Sequence, residues 1–597
     1  MSSGGGAPTA LLPPQLDPKQ SQREKLNRFE KITKGGARAS SATVSQLYDI
    51  LEDRSRDDPE EPSQRIHGPL YGKGNLLSLK RRVIDTLAPL SRAGKRHIFW
   101  MQCQDAAARA DPYYADAPRT VNIALPVLVP SDAEMPYFKN VVVLSHPEDC
   151  ERIARAHVRK QPNFTTVLFQ SLIATTDNAH WARQRNYLNE VFLPEASLSK
   201  IFPVTWQRAV ACTSNLAALA RESLRARSKY GVQMHEFYLH EAQAQLQMAL
   251  FGMDEGFMER TNKQIRQVFA GDHPDPERGF GAEMVLDMLK RVDANPAFAT
   301  AMEGQLEGKP VFGPLSKAVA NAAKDLDMNL FDQFGNMMLI LFAGHDTTAH
   351  TMTWLTFELA RHPEYQTRLQ REVDALFDGL NGREMTYADC SRLPFLTRCV
   401  METLRLWTAV PNGTFRQLQY EDEIHGPGGK MVALPKGTFV QVVNWMRHRS
   451  RALWGADADE FNPDRKFEGN EIWGESGTGG EGSYSGTNPA SKRFSPFTFG
   501  PRDCLGKNFA QMEMRAILAS VFHRFSFSVS TPYSNANVRK HGPLENVQGT
   551  SGPRDITPEG LREAARRQAD TTGKIPKLPP MAMWLHVVER RPGKARL

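Results

Sequence analysis

The stretch that decides the fold of this 597-residue chain is Phe497-Thr498-Phe499-Gly500-Pro501-Arg502-Asp503-Cys504-Leu505-Gly506. It places a cysteine, two glycines and an arginine directly before a helical pattern over residues 507–522. A cysteine at the start of a helix lies near the positive end of the helix dipole and near free backbone N–H groups, and both favour the thiolate. Gly500 permits a turn with positive φ, Gly506 permits close approach of a flat ligand, and Arg502 can reach an anionic group. These residues predict an anionic sulfur on a rigid loop, suited to binding iron from one side.

A buried structural cysteine in a glycine turn is the alternative for this stretch. The spacing F-x-x-G-x-R-x-C-x-G is present without a gap, and it resembles the haem-binding signature of the cytochrome P450 family, the haem-thiolate monooxygenases. The resemblance implies haem b as the cofactor, with the Cys504 thiolate as the axial ligand of its iron. It also implies that four neighbours of Cys504 bind the cofactor, namely Phe497, Gly500, Arg502 and Gly506.

Glu402 and Arg405 lie three residues apart in a helical pattern, so their side chains share one face of the helix. By itself this spacing is typical of a surface ion pair worth well under about 1 kcal/mol. The two residues resemble the E-x-x-R pair of the same family, and Arg465 in the segment 461–465 resembles the downstream arginine that joins it. The resemblance implies a structural cluster, with Glu402 buried between two guanidinium groups.

Residues 343–348, Ala-Gly-His-Asp-Thr-Thr, lie midway along a long helical pattern, although Gly and Thr are poor residues for a helix interior. The Thr347 hydroxyl can bond the carbonyl of Ala343 and open the helix locally, and Gly344 leaves room for dioxygen and water. The segment resembles the family motif A/G-G-x-D/E-T. This implies that Asp346 and Thr347 are the catalytic acid–alcohol pair that relays protons, and that Gly344 lies at the cofactor. The alternative is a distorted core helix with incidental polar residues.

Two further segments resemble parts of the family that bind the haem propionates. His180-Trp181-Ala182-Arg183-Gln184-Arg185 resembles the W-x-x-x-R helix, and Arg416 resembles an arginine that follows the E-x-x-R helix. A lone Trp or Arg is usually packing or solvated charge. The assignment of Trp181, Arg185 and Arg416 to cofactor binding therefore depends on their order and spacing relative to the stronger motifs.

Helical patterns dominate the rest of the sequence. The pattern over 325–361 predicts a central helix that crosses the domain, and residues 393–407 predict another helix. Strands are predicted at 140–144, within 430–443 and at 581–588. The expected fold is mainly α with small β-sheets, and the resemblance implies a single large haem-thiolate monooxygenase fold with a long central helix.

The chain divides into a leader and one large domain. Residues 1–65 predict a flexible, polar leader, because they contain clusters of Gly, Ser and Pro and a run of acidic residues. Residues 66–597 are then a single cytochrome P450-like haem domain. Two polar segments without an apolar period predict insertions in it, at about 469–491 and 534–574.

Composition argues against several other classes of protein. The chain is 41% hydrophobic and 24% charged, and its net charge of +7 is too small for its length to indicate nucleic-acid binding. Its six cysteines are too sparse for a disulfide scaffold. No two of them form a CxxC pair, which argues against a structural zinc site. No run reaches the roughly 18 apolar residues of a spanning helix, and no secretory signal is visible. We expect a cytoplasmic protein or one peripheral to a membrane.

The resemblance implies a monooxygenase that inserts one oxygen atom from O2 into a C–H bond of a small hydrophobic substrate. Residues 453–461 look like the eukaryotic fatty-acid hydroxylase branch, which makes a fatty acid the substrate hypothesis. The electrons would come from a separate NADPH-dependent reductase or a ferredoxin, since no dinucleotide- or flavin-binding segment follows the haem motif. Basic residues around the loop either dock an acidic partner or serve as solvated surface charge and propionate-binding groups. They are Lys492, Arg493, Arg502, Lys507 and Arg515.

Two alternative functions remain open from the sequence. One is a haem-thiolate isomerase or dehydratase that rearranges peroxides without a reductase. The other is a non-catalytic haem-binding sensor or carrier. The acid–alcohol pair at Asp346 and Thr347 favours oxygen activation over both.

Overall fold

The structure of this chain is a computed structural model. It describes residues 111–129, 137–161, 170–228, 231–251, 330–411, 413–468, 490–529 and 583–590, with a few short stretches between them. The predicted leader at 1–65 and the predicted insertion at 534–574 lie outside the described residues, as does most of the predicted insertion at 469–491.

Helices account for most of the described chain. Those of ten or more residues are α1 (Pro147–Ala156), α2 (Asn178–Phe192), α3 (Glu195–Arg225), α4 (Met234–Phe251), α5 (Leu330–Arg361), α6 (Pro363–Leu380), α7 (Pro394–Leu406) and α8 (Lys507–Arg524). Three of them begin at a proline, whose fixed φ suits the first turn and whose missing N–H has no partner to lose there.

The long helix predicted from the sequence is α5. It has 32 residues and is therefore about 48 Å long. It packs along α4, and its buried face joins those of α3, α7 and α8 in one large apolar cluster. No helix in the described part of the chain, α5 included, is both long enough and apolar enough to span a membrane.

The strands form small sheets at the edges of the helical core. They are β1 (Ile123–Val129), β2 (Tyr137–Leu144), β3 (Val232–Gln233), β4 (Thr414–Gln417), β5 (Asp422–His425), β6 (Met431–Leu434), β7 (Phe439–Val442), β8 (Phe525–Val529) and β9 (Trp584–Glu589). The sheet orders are β1-β2-β7-β4, β3-β9-β8 and β5-β6, and the β2–β7 pair is parallel. Strands appear at all three places where the sequence predicts them, and a mainly α fold with small β-sheets is confirmed.

The four-stranded sheet and α1 support the loop that carries Cys504. A second apolar cluster contains Phe499 together with residues of β2, β7 and α1. The guanidinium of Arg447 lies 5.0 Å from the centre of the Phe499 ring. The loop is thus anchored on the sheet side before the chain enters α8.

Candidate active site

The loop around Cys504 has a well-defined backbone path. Residues Gly500–Arg502 form a 3-10 turn, and the Cys504 amide donates to the carbonyl of Phe497 at 2.9 Å. Gly500 has φ of +64°, and a Cβ added there would come within 3.1 Å of the Arg155 Cα in α1. Both the backbone conformation and the close approach to α1 require glycine, as the sequence predicts.

Open space adjoins the sulfur of Cys504. Of the six cysteines, Cys504 is exposed and the other five are buried. A Cβ added to Gly506 would meet no atom within 4 Å. The loop therefore leaves room for a flat ligand beside the thiol.

The pKa of the Cys504 thiol does not shift in the direction expected from the sequence. Burial among protein atoms raises the pKa of its thiol, and the Lys507 charge and the Gly506 N–H lower this pKa by less. Desolvation of the sulfur outweighs the helix-end groups in the chain alone. A thiol that coordinates a metal ion loses its proton, so the predicted thiolate would form when the ligand binds.

Two arginines near this loop are buried and pair with no carboxylate among the described residues. Arg416, in β4, is fully buried, and neither its Nε nor its Nη2 has a hydrogen-bond partner among the described residues. Burial lowers its pKa to about 10. Arg502 is also buried, and its pKa is lowered to about 9 by burial and then by the charges of Arg416 and Arg185. Isolated buried charges are costly, so these side chains indicate a site for an anionic group.

Lys160 is a functional candidate that the sequence did not reveal. Burial and the charges of Arg416 and Arg502 lower its pKa well below its ordinary value. No hydrogen bond or ion pair joins it to another described residue. The next side chain, Gln161, donates to the carbonyls of Arg416 at 3.0 Å and Val440 at 3.1 Å, which pins Lys160 beside the sheet. A lysine in a loop after α1 carries no sequence signal for this role, because the three cations meet only in the folded chain.

Trp181 and Arg185 of α2 lie on the other side of the loop. The Arg502 guanidinium lies 4.4 Å from the centre of the Trp181 ring. Arg185 donates to the carbonyl of Asp503 at 2.6 Å and to its Oδ1 at 2.5 Å, and Lys507 pairs with the same carboxylate at 3.1 Å. Arg185 thus has an anionic partner within the protein, and its predicted contact with a propionate remains a prediction.

The acid–alcohol motif lies in α5. Thr347 Oγ1 donates to the carbonyl of Ala343 at 2.9 Å, the bond predicted from the sequence. The helix continues unbroken through the motif, so the predicted local opening is wrong for this structure. The same bond to the residue four positions back is made by Thr348, Thr351, Thr353 and Thr356. Repetition of the bond shows that a threonine of this kind does not by itself open the helix.

Asp346 and Gly344 have packed surroundings in α5. Asp346 is buried, its Oδ1 has no hydrogen-bond partner among the described residues, and this oxygen lies 3.5 Å from His350 Nδ1. A Cβ added to Gly344 would come within 2.8 Å of Leu246 Cδ1 in α4. A small residue here eases the packing of Leu246 on α5, and the predicted space for dioxygen remains a prediction.

Glu402, Arg405 and Arg465 are brought together in the core. Arg405 makes two bonds of 2.8 Å to the Glu402 carboxylate, and Arg465 Nε donates to its Oε1 at 3.1 Å. Asn462 adds a backbone N–H at 3.0 Å. The remaining donors of Arg405 reach the carbonyls of His448 and Ala458. The cluster fastens α7 to the segment that leads into the Cys504 loop.

The basic docking patch expected from the sequence is largely wrong. Arg502, Lys507 and Arg515 are buried and therefore offer no charge to a partner. Arg493 pairs with Glu471 at 2.8 Å, and the exposed Lys492 pairs with Glu148 at 3.1 Å. Counting charges along the sequence could not reveal these intrachain partners.

Comparison with known proteins agrees with this site. Residues 317–541 match the family model described as cytochrome P450. This part of the chain is similar to a cytochrome P450 domain. The segment that matches the cytochrome P450 model includes α5 to α8, and with them Asp346, Glu402, Arg416, Arg465 and Cys504. Lys160, Trp181 and Arg185 precede it.

Individual relatives carry cytochrome P450 and related names. The chain is 30% identical over 297 residues to a cytochrome P450 of Caenorhabditis elegans named CYP13A5, covering 49% of each protein. It is 34% identical over 224 residues to cytokinin hydroxylase of Arabidopsis thaliana, covering 36% of this chain and 38% of the relative. It is 35% identical over 185 residues to cytochrome P450 4F3 of Rattus norvegicus, covering 31% of each. The chain thus spans about half or less of the length of these curated cytochrome P450 relatives.

Proposed function

We propose that this protein is a haem-dependent monooxygenase that inserts one oxygen atom from O2 into a C–H bond of a hydrophobic substrate. The observation that supports it best is the juxtaposition, around one loop, of an accessible cysteine and three cations without an anion. Haem b combines an iron that a thiolate can bind with two carboxylates that cations can bind. The family match of the same segment points in the same direction.

The residues present suit this cofactor. Cys504 would bind the iron, and Arg416, Arg502 and Lys160 would neutralise the two propionates. Trp181, Phe497, Gly500 and Gly506 would lie along the macrocycle. When bound, haem supplies the activation of O2 and the transfer of oxygen to the substrate.

The chain itself contributes proton access and exclusion of water. Thr347 Oγ1 would hold a proton on the far side of the cofactor, and the buried carboxylate of Asp346, in the same helical turn, would resupply it. Gly344 would leave the adjacent helix surface free of a side chain. The apolar cluster around α4 and α5 would keep the substrate pocket dry.

Replacing Arg416 with methionine tests the cofactor assignment through two opposite effects. In haem-free protein, we expect higher stability, because the change removes a buried charge that lacks an anion. In haem titrations, we expect at least tenfold weaker binding, because one propionate loses a charge-assisted bond. Urea unfolding of the haem-free protein and haem titration monitored by absorbance measure the two effects.

Arg449→Met is the matched control for this variant. Arg449 is also buried, with its pKa lowered to about 9 by burial, but it donates to the Leu406 carbonyl and lies 3.5 Å from Asp459. Its replacement should lower stability and leave haem affinity unchanged. Equal haem affinity in Arg416→Met and the wild type would contradict the propionate role of Arg416.

The electron donor is proposed to be a separate NADPH-dependent reductase or a ferredoxin, with the protein in the cytoplasm or peripheral to a membrane. Of the basic residues expected to dock this partner, Lys492 is the one with a largely exposed side chain. Docking would therefore involve few of these basic residues. Any further charge complementarity to the partner would have to come from other residues on this face.

A fatty acid is proposed as the substrate, on the resemblance of residues 453–461 to the fatty-acid hydroxylase branch. We expect the haem-loaded protein to give a type I spectral shift when titrated with long-chain fatty acids, and NADPH-dependent hydroxylation when a reductase is added. Matched titrations with the corresponding alkanes control for nonspecific apolar binding. If no chain length shifts the spectrum, the substrate class is wrong.

The same turnover assay separates the two alternative functions. A peroxide isomerase or dehydratase would convert peroxides without NADPH or reductase. A haem-binding sensor would show no turnover under either condition. Retention of Asp346 and Thr347 in one turn of α5 favours the monooxygenase over both.

A further inference from the structure

Three metal-ligating side chains converge at the start of α1, away from the candidate active site. They are His146, Asp149 and His425, and their ligand atoms lie within 4.8 Å of one another. His425 Nδ1 lies 3.0 Å from Asp149 Oδ1, and His146 Nδ1 lies 3.8 Å from Asp149 Oδ2. His146 precedes α1, Asp149 lies in its first turn, and His425 ends β5.

A single side chain, Asn122, holds all three residues in place. Its Nδ2 donates to Asp149 Oδ2 at 2.6 Å and to the carbonyl of His425 at 2.9 Å. Its Oδ1 accepts from the backbone N–H of His146 at 3.1 Å. Asp149 also accepts from the backbone N–H of His425 at 2.8 Å. Such outer contacts, which orient ligands before an ion arrives, are typical of metal sites.

The cluster has unused coordinating capacity. His146 Nδ1 is buried and has no hydrogen-bond partner among the described residues. Burial lowers the pKa of His146, which favours the neutral imidazole that metals bind. Asp149 is buried, and one proton lies in the hydrogen bond between its Oδ1 and His425 Nδ1. An ion in place of that proton would bond both atoms and reach the free nitrogen of His146.

We infer that His146, Asp149 and His425 form a binding site for a divalent transition metal, with Zn2+ as the ion of best-matched chemistry. Imidazole nitrogen and carboxylate oxygen are zinc ligands at about 2.0–2.2 Å, so neighbouring ligand atoms in a tetrahedral site lie roughly 3.4 Å apart. The two measured separations lie on either side of this value, 3.0 Å from His425 Nδ1 to Asp149 Oδ1 and 3.8 Å from His146 Nδ1 to the other oxygen, Oδ2. Water would complete the coordination from the solvent side, because both histidines are partly exposed.

Metal binding would change the relative orientation of the His146 and His425 rings. His146 and His425 now stack, with ring centres 3.7 Å apart and planes at 19°. Each nitrogen lone pair lies in its ring plane, so the rings must tilt toward a shared ion and open the stack. The charged neighbours are Arg152, 3.5 Å from Asp149 Oδ1, and the Lys492–Glu148 pair. Arg152 also bonds Asp422, which lessens its opposition to a cation.

The site would clamp the start of α1 to the β5–β6 hairpin. The other end of α1 carries Arg155, whose Cα lies against Gly500 of the Cys504 loop. An ion at one end of α1 would therefore stiffen a helix that supports the candidate active site at its other end. This inference does not depend on the proposed function, because its readout is metal content.

Equilibrium dialysis of the 597-residue protein against Zn2+ alone, followed by mass-spectrometric metal analysis, tests the site. We expect His146→Gln to bind Zn2+ at this site at least tenfold more weakly than the wild type. The double variant His146→Gln/His425→Gln should bind one Zn2+ fewer per chain. Because the His146 side chain has no hydrogen bond to lose, the single variant should keep the wild-type circular dichroism and melting temperature in the absence of metal.

The matched control is His586→Gln, a histidine of β9 outside the cluster. It should retain the full wild-type zinc content, and Zn2+ should raise the melting temperature of the wild type and this control but not of the double variant. Equal zinc content in the wild type and the double variant would overturn the inference. A zinc-dependent rise in melting temperature that persists in the double variant would do the same.

Discussion

Replacing Cys504 with serine is expected to abolish the Soret band typical of a thiolate-bound haem in the reduced carbon monoxide complex. The exposed sulfur of Cys504 is the one thiol on the loop that precedes α8, and the five other cysteines are buried. A serine hydroxyl keeps nearly the same shape but is far less acidic than a thiol, so it cannot supply the anionic sulfur. NADPH-dependent turnover should fall to the background, because thiolate donation to iron favours O–O cleavage.

Cys390→Ala is the control for this experiment. Cys390 is fully buried in the core, with its pKa raised to about 12 by burial, so it offers no thiolate to a ligand. This variant should keep the thiolate-type band at somewhat reduced stability. Haem content and circular dichroism of Cys504→Ser distinguish a lost ligand from a lost fold. If the band persists in folded Cys504→Ser protein, the ligand assignment is wrong.

Replacing Glu402 with glutamine should lower the free energy of unfolding by about 3–5 kcal/mol. Glu402 is fully buried, and its carboxylate accepts bonds from Arg405, Arg465 and the Asn462 N–H. Glutamine has almost the same shape, but it removes the negative charge and turns an amide N–H₂ toward guanidinium donors. Arg405 then lacks its counter-ion and Arg465 keeps only Asp457, and removing one partner is the costly way to break such a cluster. Urea unfolding measured by far-UV circular dichroism gives the value.

Asp464→Asn provides a matched control one residue before Arg465. Asp464 pairs with Arg368 at 2.6 Å, but both side chains are half exposed. Solvent screening limits such a pair to about 0–1 kcal/mol, so this variant should unfold close to the wild-type midpoint. A Glu402→Gln variant no less stable than Asp464→Asn would show that the buried cluster does not hold α7 to the loop.

Helix and strand positions followed from local patterns in the sequence. The helical patterns over 325–361 and 393–407 predict α5 and α7 close to their observed bounds, because helix periodicity acts within a few residues. Strands predicted at 140–144 and 581–588 became β2 and β9 within a few residues. Which strands pair could not be predicted, since β2 joins β7 almost 300 residues later.

Residue spacing likewise located the Cys504 loop, the Glu402 cluster and the motif in α5. These motifs are short, and each consists of residues whose chemistry is needed at fixed offsets. The sequence did not predict the desolvation that raises the pKa of Cys504, the burial of Lys507 and Arg515, or the pairing of Arg185 with Asp503. Each of these depends on desolvation or on a partner from a distant part of the chain.

By itself, then, the sequence determined where α5, α7 and α8 lie and where the Cys504 loop falls, because backbone geometry and motif spacing are local. Only the tertiary structure decided that Lys160, Arg416 and Arg502 meet without an anion, and that Asn122 gathers His146, Asp149 and His425. Both groups join segments more than 250 residues apart. Electrostatic and coordination sites of this kind depend on distances between side chains in the folded protein. Residue spacing along the sequence does not give these distances.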